Sequence, residues 1–545
     1  MTSNRNRKWL SIILVLTLVL SMLVALAACG GSATQTEKSA SDSSQKSTSD
    51  SSAKQTTTGT STEDDKSLIT FDVFINHTWY SVDKFEGIIP EEITRRTGVT
   101  LNPTIAVDDQ QLGLMIASGD LPDLVYTATL LDRLSTSTLC YSYNELIEEY
   151  VPDWEPTTFQ IACARSFSQD DKYYTIVNHA TVKEDWENVN AVPMLPSLIY
   201  RLDILEELGN PPMNTLDDLL NIYELVKQNY PDMVPLVFSD SWRFQVFKVW
   251  TGAINIDFIE QDGKVVSTIH GEKYRDYLKY LNTLYRRGYI IADNFAWTSA
   301  TNPRYLENGK AFSSSGCTQD NAYPAQVKLR SVVPNGHLVE SKPLGATDYS
   351  QSAIGWSGTF ITKNCHNPER AIKFMRWMFT EEAQKLTQWG REGIEYTLNE
   401  QGLPVFSEEW MEAAKDREFH NTKYNPWFYF GGSGKIESLG RCASIDPEEY
   451  SKYYLDVYKQ IRDGFDNKPW ILASRPTEGM DEKVILDKLQ DLIINMEAKI
   501  ILSNSDEEFD KNFEDLQKQA DQIGVAKLEE YMTKKLPEIK ALFGV

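Results

Sequence analysis

Between residues 69 and 127 the chain alternates short apolar strands with short helical stretches, and that order restricts its architecture more than any other feature. Ile69 to Ile75 alternates apolar and polar side chains and reads as a first strand. Pro90 to Arg96 reads as a helix, opened by a proline near its first turn and stopped at Gly98. Val99 to Thr104 is the second expected strand and Gln110 to Ser118 the second helix. Gly119 to Asp123 then turns the chain into a third strand at Leu124 to Tyr126. Strands and helices in alternation are the pattern of a parallel α/β sheet. A chain of 545 residues leaves room for two or three domains. Its 41% hydrophobic and 11% aromatic content suits large cores rather than disorder.

A different kind of segment precedes this part. Arg5, Arg7 and Lys8 form a positive start, and Trp9 to Ala28 is a nearly unbroken apolar run ending in small residues, the layout of a secretory signal peptide. Leu26-Ala27-Ala28-Cys29, followed by Gly30, resembles the bacterial lipobox, in which residues 1–28 are removed and Cys29 receives a diacylglycerol. An uncleaved anchor is the competing reading, because the run is long enough to span a bilayer. It gives no reason for a cysteine at position 29. Both readings put the remaining chain outside the cytoplasm, and a lipid on one cysteine holds a protein to a membrane without spanning it. Residues 29–66 are almost entirely Ser, Thr, Gly, Ala, Gln, Lys and Asp with no aromatic residue, too little apolar surface to fold. They read as a tether whose length suits a thick cell wall, so a Gram-positive source is expected.

Charge and cysteine content narrow the function. The net charge is −24, and losing the three positive charges of Arg5, Arg7 and Lys8 gives −27. A chain this acidic repels nucleic acid and anionic lipid, so neither is an expected partner. The six cysteines (Cys29, Cys140, Cys163, Cys317, Cys365 and Cys442) include no CxxC pair, and neither a zinc site nor a disulfide framework is expected. Gly431 to Lys435 looks glycine-rich, but Ile436 stands where a phosphate-binding loop needs Ser or Thr, so a flexible turn is expected. Asp257 to Gly263 hints at a calcium loop, yet Phe258 and Ile269 break the ligand pattern and a hairpin turn at Asp262-Gly263 fits better. No catalytic motif stands out and no carboxylate pair is singled out among 78 acidic residues, so neither an enzyme nor a cofactor is expected.

Five stretches carry a family likeness. Ile116-Ala117-Ser118-Gly119-Asp120-Leu121-Pro122-Asp123-Leu124-Val125 resembles the signature of the family 1 extracellular solute-binding proteins, the receptors of ABC sugar importers. Leu198 to Leu205 is similar to the family's crossing strand and next helix, and Tyr305 to Ala311 to its F-x-x-GK-A element. NPERAIKFMRWMFTEEAQKL from Asn367, then WGREGIEY from Trp389, is similar to a stretch of the large LipO- or LplA-like lipoprotein subgroup, as is Leu528 to Met532. Read physically, Asn367 caps a helix opened by Pro368, with Phe374, Met375 and Met378 on its buried face. Thr380 caps the next helix and Gly390 stops it. Leu202 stands where relatives often carry Lys, and the aromatic run Asn425 to Phe430 matches no family position.

The resemblance implies an α/β, two-lobe periplasmic-binding-protein-like fold with an interlobe cleft and extra C-terminal helices. Lobe one would hold residues 67–196 and 331–388, and lobe two 197–330 and 389–545. It implies that the cleft captures an oligosaccharide and that hinge closure delivers it to ABC permease subunits. A receptor for a peptide or sugar derivative, or a surface sensor docking on a histidine kinase, are the rival readings. Sugar rings pack on Trp and Tyr, while their hydroxyls need partners such as Arg and His. Ligands of α/β sheets bind beyond the carboxyl ends of strands. His77, Trp79, Tyr126, Trp242, Arg243 and Trp356 are therefore the expected ligand contacts. Trp250, Trp377 and Trp389 lie in helical patterns and read as packing. The expected product is a monomer on the outer face of the cell membrane, lipid-anchored at Cys29.

Overall fold

Two four-stranded sheets organise the chain, each with its own apolar core. The computed structural model describes residues 66–80, 82–187, 189–238, 242–254, 256–296, 302–318, 322–425 and 430–545. Cys29 and the expected signal peptide and tether lie outside them, apart from Lys66. In the first sheet, β1 (Ile69–Ile75) pairs parallel with β2 (Val99–Ile105) and with β3 (Leu124–Thr127). The expected helices follow β1 and β2 over Ile88–Thr97 and Gln111–Ser118, stopped by Gly98 and Gly119 in the left-handed conformation. The second sheet contains β4 (Pro196–Arg201), β5 (Val234–Phe238), β8 (Ala311–Cys317) and β9 (Leu338–Glu340), in the order β5-β8-β4-β9. Between them β6 (Phe258–Gln261) and β7 (Lys264–Ser267) form a hairpin, whose turn residues Asp262 and Gly263 both have positive φ. That is the primed turn that suits strand twist. Last, β10 (Gly358–Ile361) returns to the first sheet, antiparallel to β3.

The expected helix starts at the return hold. The Asn367 side chain accepts from the Arg370 N–H, and Thr380 from that of Ala383. Asp123 of the signature braces the sheet edge: its carboxylate accepts from the backbone N–H groups of Asp72 and His366. Trp389 and Trp250 are buried, while Trp377 is half-buried against the first core.

The passages between sheets fall elsewhere than expected. Trp186, Ala191 and Val192 already belong to the second core, so the first passage precedes residue 186 rather than lying near 197. The second is not near 330, because β9 covers the edge of β4 (Ile199 opposite Glu340) and Leu344 packs into the second core. Residues 338–344 thus belong with lobe two. The third is not near 389, since Trp410, Ala413, Tyr424 and Phe430 bury against the first core, and the chain rejoins the second at Leu439 and Cys442. Gly431 to Lys435 is also more than a flexible turn. A Cβ on Gly431 would lie 2.1 Å from the Met378 carbonyl oxygen, so backbone packs on backbone there. Ser433 caps a helix over Gly434–Ala443.

Three long helices, Asp481–Ile501, Asp506–Ile523 and Val525–Phe543, complete the second lobe. The last of them lies on β7: the Val265 N–H donates to Thr533 Oγ1 at 2.9 Å and the Ser267 N–H to Glu529 Oε1 at 2.7 Å. The five described cysteines beyond the tether are buried.

Candidate functional site

The loop leaving β1 is held by its neighbour strand. The Asn76 N–H donates to the Tyr126 carbonyl, and its side-chain amide donates to the hydroxyls of Thr127 and Thr129, each at 3.0 Å. A turn then closes from the Tyr80 N–H to the His77 carbonyl. The loop thereby lifts Trp79 beyond the carboxyl ends of β1 and β3 while His77 stays buried.

Trp356 reaches the same place from the far end of the chain. Gly355, at φ 92°, lets the backbone run against Val177, where a Cβ would sit 2.4 Å from a Val177 methyl. The Trp356 N–H donates to the Asn178 carbonyl at 3.0 Å, and the Ser357 N–H to Asn178 Oδ1 at 3.0 Å. The Ser357 hydroxyl meets the Tyr126 hydroxyl at 2.6 Å. These bonds fix the tryptophan relative to β3 before any ligand arrives.

Four of the six expected contacts are thus brought together. The rings of Trp79 and Trp356 lie 6.0 Å apart, inclined by 26°. His77 sits 5.0 Å from Trp79, 5.3 Å from Trp356 and 5.1 Å from Tyr126. Trp79 is 48% and Trp356 38% exposed, whereas His77 is 7% and Tyr126 1% exposed. The result is a platform of two exposed indoles with an imidazole and a phenol beneath. Tyr126 supports the platform from below, packed against Phe430 at 5.2 Å. Burial depresses the imidazole of His77 to about 4, so it is neutral near pH 7. Its buried Nε2 has no hydrogen-bond partner among the described residues.

Trp242 and Arg243 lie on the side of the second sheet. They follow β5 and stand half-buried, with Arg243 at φ 30° and its carbonyl accepting from the Ser315 hydroxyl on β8. Phe238 and Phe244, 4.2 Å apart, pin this segment to its lobe.

One set of polar groups at the platform was not foreseen. His179 presents its edge to Trp356 at 5.8 Å and shares a 3.0 Å contact between its Nε2 and Glu437. Burial alone would raise the Glu437 carboxyl, but Arg441, 2.5 Å away, and His179 outweigh it and hold it down at about 2. On the same helix the Ser438 hydroxyl donates to the Val192 carbonyl, tying this corner to the second lobe. The unassigned aromatic run is only partly visible: Phe430 packs under Tyr126, while residues 426–429 lie outside the described residues. No group of three or more His, Cys, Asp or Glu in metal-holding geometry occurs among the described residues.

Lipoprotein LipO of Bacillus subtilis is 23% identical over 450 residues, 76% of this chain and 81% of that protein. The fructooligosaccharide ABC transporter substrate-binding protein FusA of Streptococcus pneumoniae serotype 4 is 24% identical over 239 residues, 40% of this chain. That match spans 44% of FusA, less than half its length. Among solved structures, the alginate-binding protein AlgQ2 without calcium superposes with a TM-score of 0.66 at 18% identity, covering 86% of this chain and 98% of that one. FusA in complex with kestose gives 0.60 at 18% identity, covering 87% of this chain and 100% of that one. These likenesses establish the two-lobe fold. The model of the bacterial extracellular solute-binding proteins matches residues 89–391, more than half of the sequence, and the chain belongs to that family.

Proposed function

We propose that the protein is a cell-surface lipoprotein that captures an oligosaccharide between its lobes and hands it to an ABC permease. The observation that carries this reading is the platform of Trp79 and Trp356, two exposed and mutually stacked indoles beyond the carboxyl ends of β1 and β3. Indole faces present a broad apolar surface to the C–H faces of a sugar ring. His77, neutral and without a partner at Nε2 among the described residues, adds one hydrogen-bonding atom at the platform's edge. Trp242 and Arg243 supply the facing wall from lobe two, and closure about the three passages brings the walls together. The relatives support the class of ligand, since FusA is a fructooligosaccharide ABC transporter substrate-binding protein and has been solved in complex with kestose. Titration calorimetry with a panel of oligosaccharides, kestose and Man5GlcNAc among them, tests the reading. Saturable binding of at least one glycan is expected, and a panel with no binder overturns it.

The anchor is tested separately. No helix among the described residues is long and apolar enough to cross a membrane. Attachment through Cys29 is the reading its lipobox supports, as does the kinship with a protein named as a lipoprotein. Cys29→Ser is expected to end metabolic labelling by radioactive palmitate. Labelled protein in that variant would show that the lipid is elsewhere.

A further inference from the structure

His179 stands in a conformation that side chains rarely adopt. Its φ is 55°, in the left-handed region where a β-carbon crowds the backbone, a cost that glycine would avoid. The neighbours explain how the chain arrives there. Asn178 and Ser357 run side by side as paired strands do: the Asn178 N–H donates to the Ser357 carbonyl at 2.9 Å, and the Asn178 carbonyl accepts from the Trp356 N–H. The pairing ends at His179, whose own N–H turns to the Gly432 carbonyl at 3.0 Å. The residue is thereby drawn toward the helix Gly434–Ala443.

The imidazole is fixed at one nitrogen and unsatisfied at the other. The Glu437 carboxyl is ionised near pH 7 and can only accept, so His179 Nε2, 3.0 Å away, carries a proton. Arg441, one turn along the same helix, holds Glu437 at 2.5 Å. His179 Nδ1 is buried with no hydrogen-bond partner among the described residues, a second cost to the folded chain. Beyond Glu437, what the ring meets is Trp356. It stands edge-on to that indole at 5.8 Å and 79°, while His77 lies along it at 5.3 Å and 24°. Two imidazoles therefore bracket an indole that is 38% exposed.

We propose that His179 is a positioning residue, whose ring, locked by Glu437, holds the Trp356 indole stacked on Trp79, and that its left-handed backbone is kept for that purpose rather than for stability. An unmade hydrogen bond on a crowded backbone stabilises nothing, so the use of the residue lies in what its ring touches. Without the edge contact a half-exposed indole samples further rotamers. A sugar then finds it ready for stacking only part of the time, and the apparent dissociation constant rises as the reciprocal of that fraction. The effect on affinity rests on the reading of Trp356 as a sugar contact, but the positioning itself is testable without a ligand.

The experiment is fluorine NMR on the full chain in detergent micelles, with its 13 tryptophans replaced by 5-fluorotryptophan. Trp356→Phe and Trp389→Phe assign two of the lines. In ligand-free His179→Gly and His179→Ala, a split line or relaxation dispersion is expected to reveal a second Trp356 population that the parent lacks. Trp389 is expected to keep a single population. It donates to the Ile436 carbonyl on the helix that carries Glu437, so it would report a loosening of that helix. His179→Gly is expected to show a higher urea midpoint than His179→Ala, which keeps a β-carbon at positive φ. With a glycan that binds the parent, the dissociation constant should rise as the reciprocal of the parent-like Trp356 fraction. A single Trp356 population in both folded variants overturns the proposal, as does a second population at Trp389. An alanine variant at least as stable as the glycine variant, or failure of both to fold, overturns it too, because His179 would then serve stability. A glycan panel without a binder leaves the ligand-free result standing, so the two readings fail separately.

Discussion

Trp79→Ala is expected to weaken oligosaccharide binding by about thirtyfold or more while barely moving the melting temperature of the ligand-free protein. Truncating an aromatic anchor in a desolvated site costs about 2 kcal/mol or more, which is the stated factor in dissociation constant. Trp79 is 48% exposed in the free protein, so its loss leaves no enclosed cavity. Trp356→Ala is expected to cost a similar factor. Because the two indoles stack on each other at 6.0 Å, the double variant should lose less than the two single losses combined. Trp242→Ala probes the facing wall and should also weaken binding by about thirtyfold if both walls hold the sugar. Trp389→Ala supplies the contrast. That side chain is 1% exposed and donates to the Ile436 carbonyl at 3.0 Å. Its truncation is expected to cost about 3–5 kcal/mol of stability. Trp377, half-buried, is the weaker control. Calorimetry on a glycan that binds the parent reads the first three, and urea unfolding reads the last. Unchanged affinity in both Trp79→Ala and Trp356→Ala would mean that the platform is not the site.

Half of this site was legible because local rules place it. Ile69 to Ile75 alternates cleanly, so its carboxyl end, and hence His77 and Trp79, could be located without any tertiary information. The glycine stops at Gly98 and Gly119 and the caps at Asn367 and Thr380 are local in the same sense, and they lie where expected. What stayed hidden is what the chain assembles from distant returns. His179 and Glu437 are 258 residues apart in sequence, and neither carries a local pattern that points to the other. The passage expected near 330 was misplaced because β9 is three residues long and buried at all three, too short to show alternation. Its place is set by the open edge of β4, a tertiary demand. The passage expected near 389 failed for a related reason. Trp410 and Tyr424 sit on helices whose pattern says that one face is buried, but not which core buries it.

Acid is expected to destabilise the protein in two separable stages, the first lying between about pH 6.5 and pH 4. His77 and His420 are both pushed down to about 4 by burial, His77 among the platform rings and His420 against Trp410 at 4.5 Å and Tyr424 at 5.0 Å. In the unfolded chain each imidazole takes up its proton near 6.5, whereas the folded chain resists until about 4. The unfolded state therefore binds more protons throughout that interval. Stability falls as pH drops through it and levels off with respect to these two groups below. The span is worth roughly 3 kcal/mol for each imidazole at full effect. Glu437 acts in the second stage, its shift also downward but caused by Arg441 and His179 rather than by burial. Its carboxyl, held at about 2, contributes stability that is present above its ordinary value near 4.5 and is lost as pH falls through about 2. Urea midpoints at pH 7, 5.5, 4 and 3 distinguish the stages. His420→Phe keeps an aromatic ring against Trp410 but cannot titrate, so it should flatten part of the first stage and leave the second in place. Glu437→Gln should do the reverse, at the cost of weakening the ties to Arg441 and His179 at neutral pH. A parent whose urea midpoint stays constant from pH 7 to pH 4 would show that these imidazoles are not shielded from water.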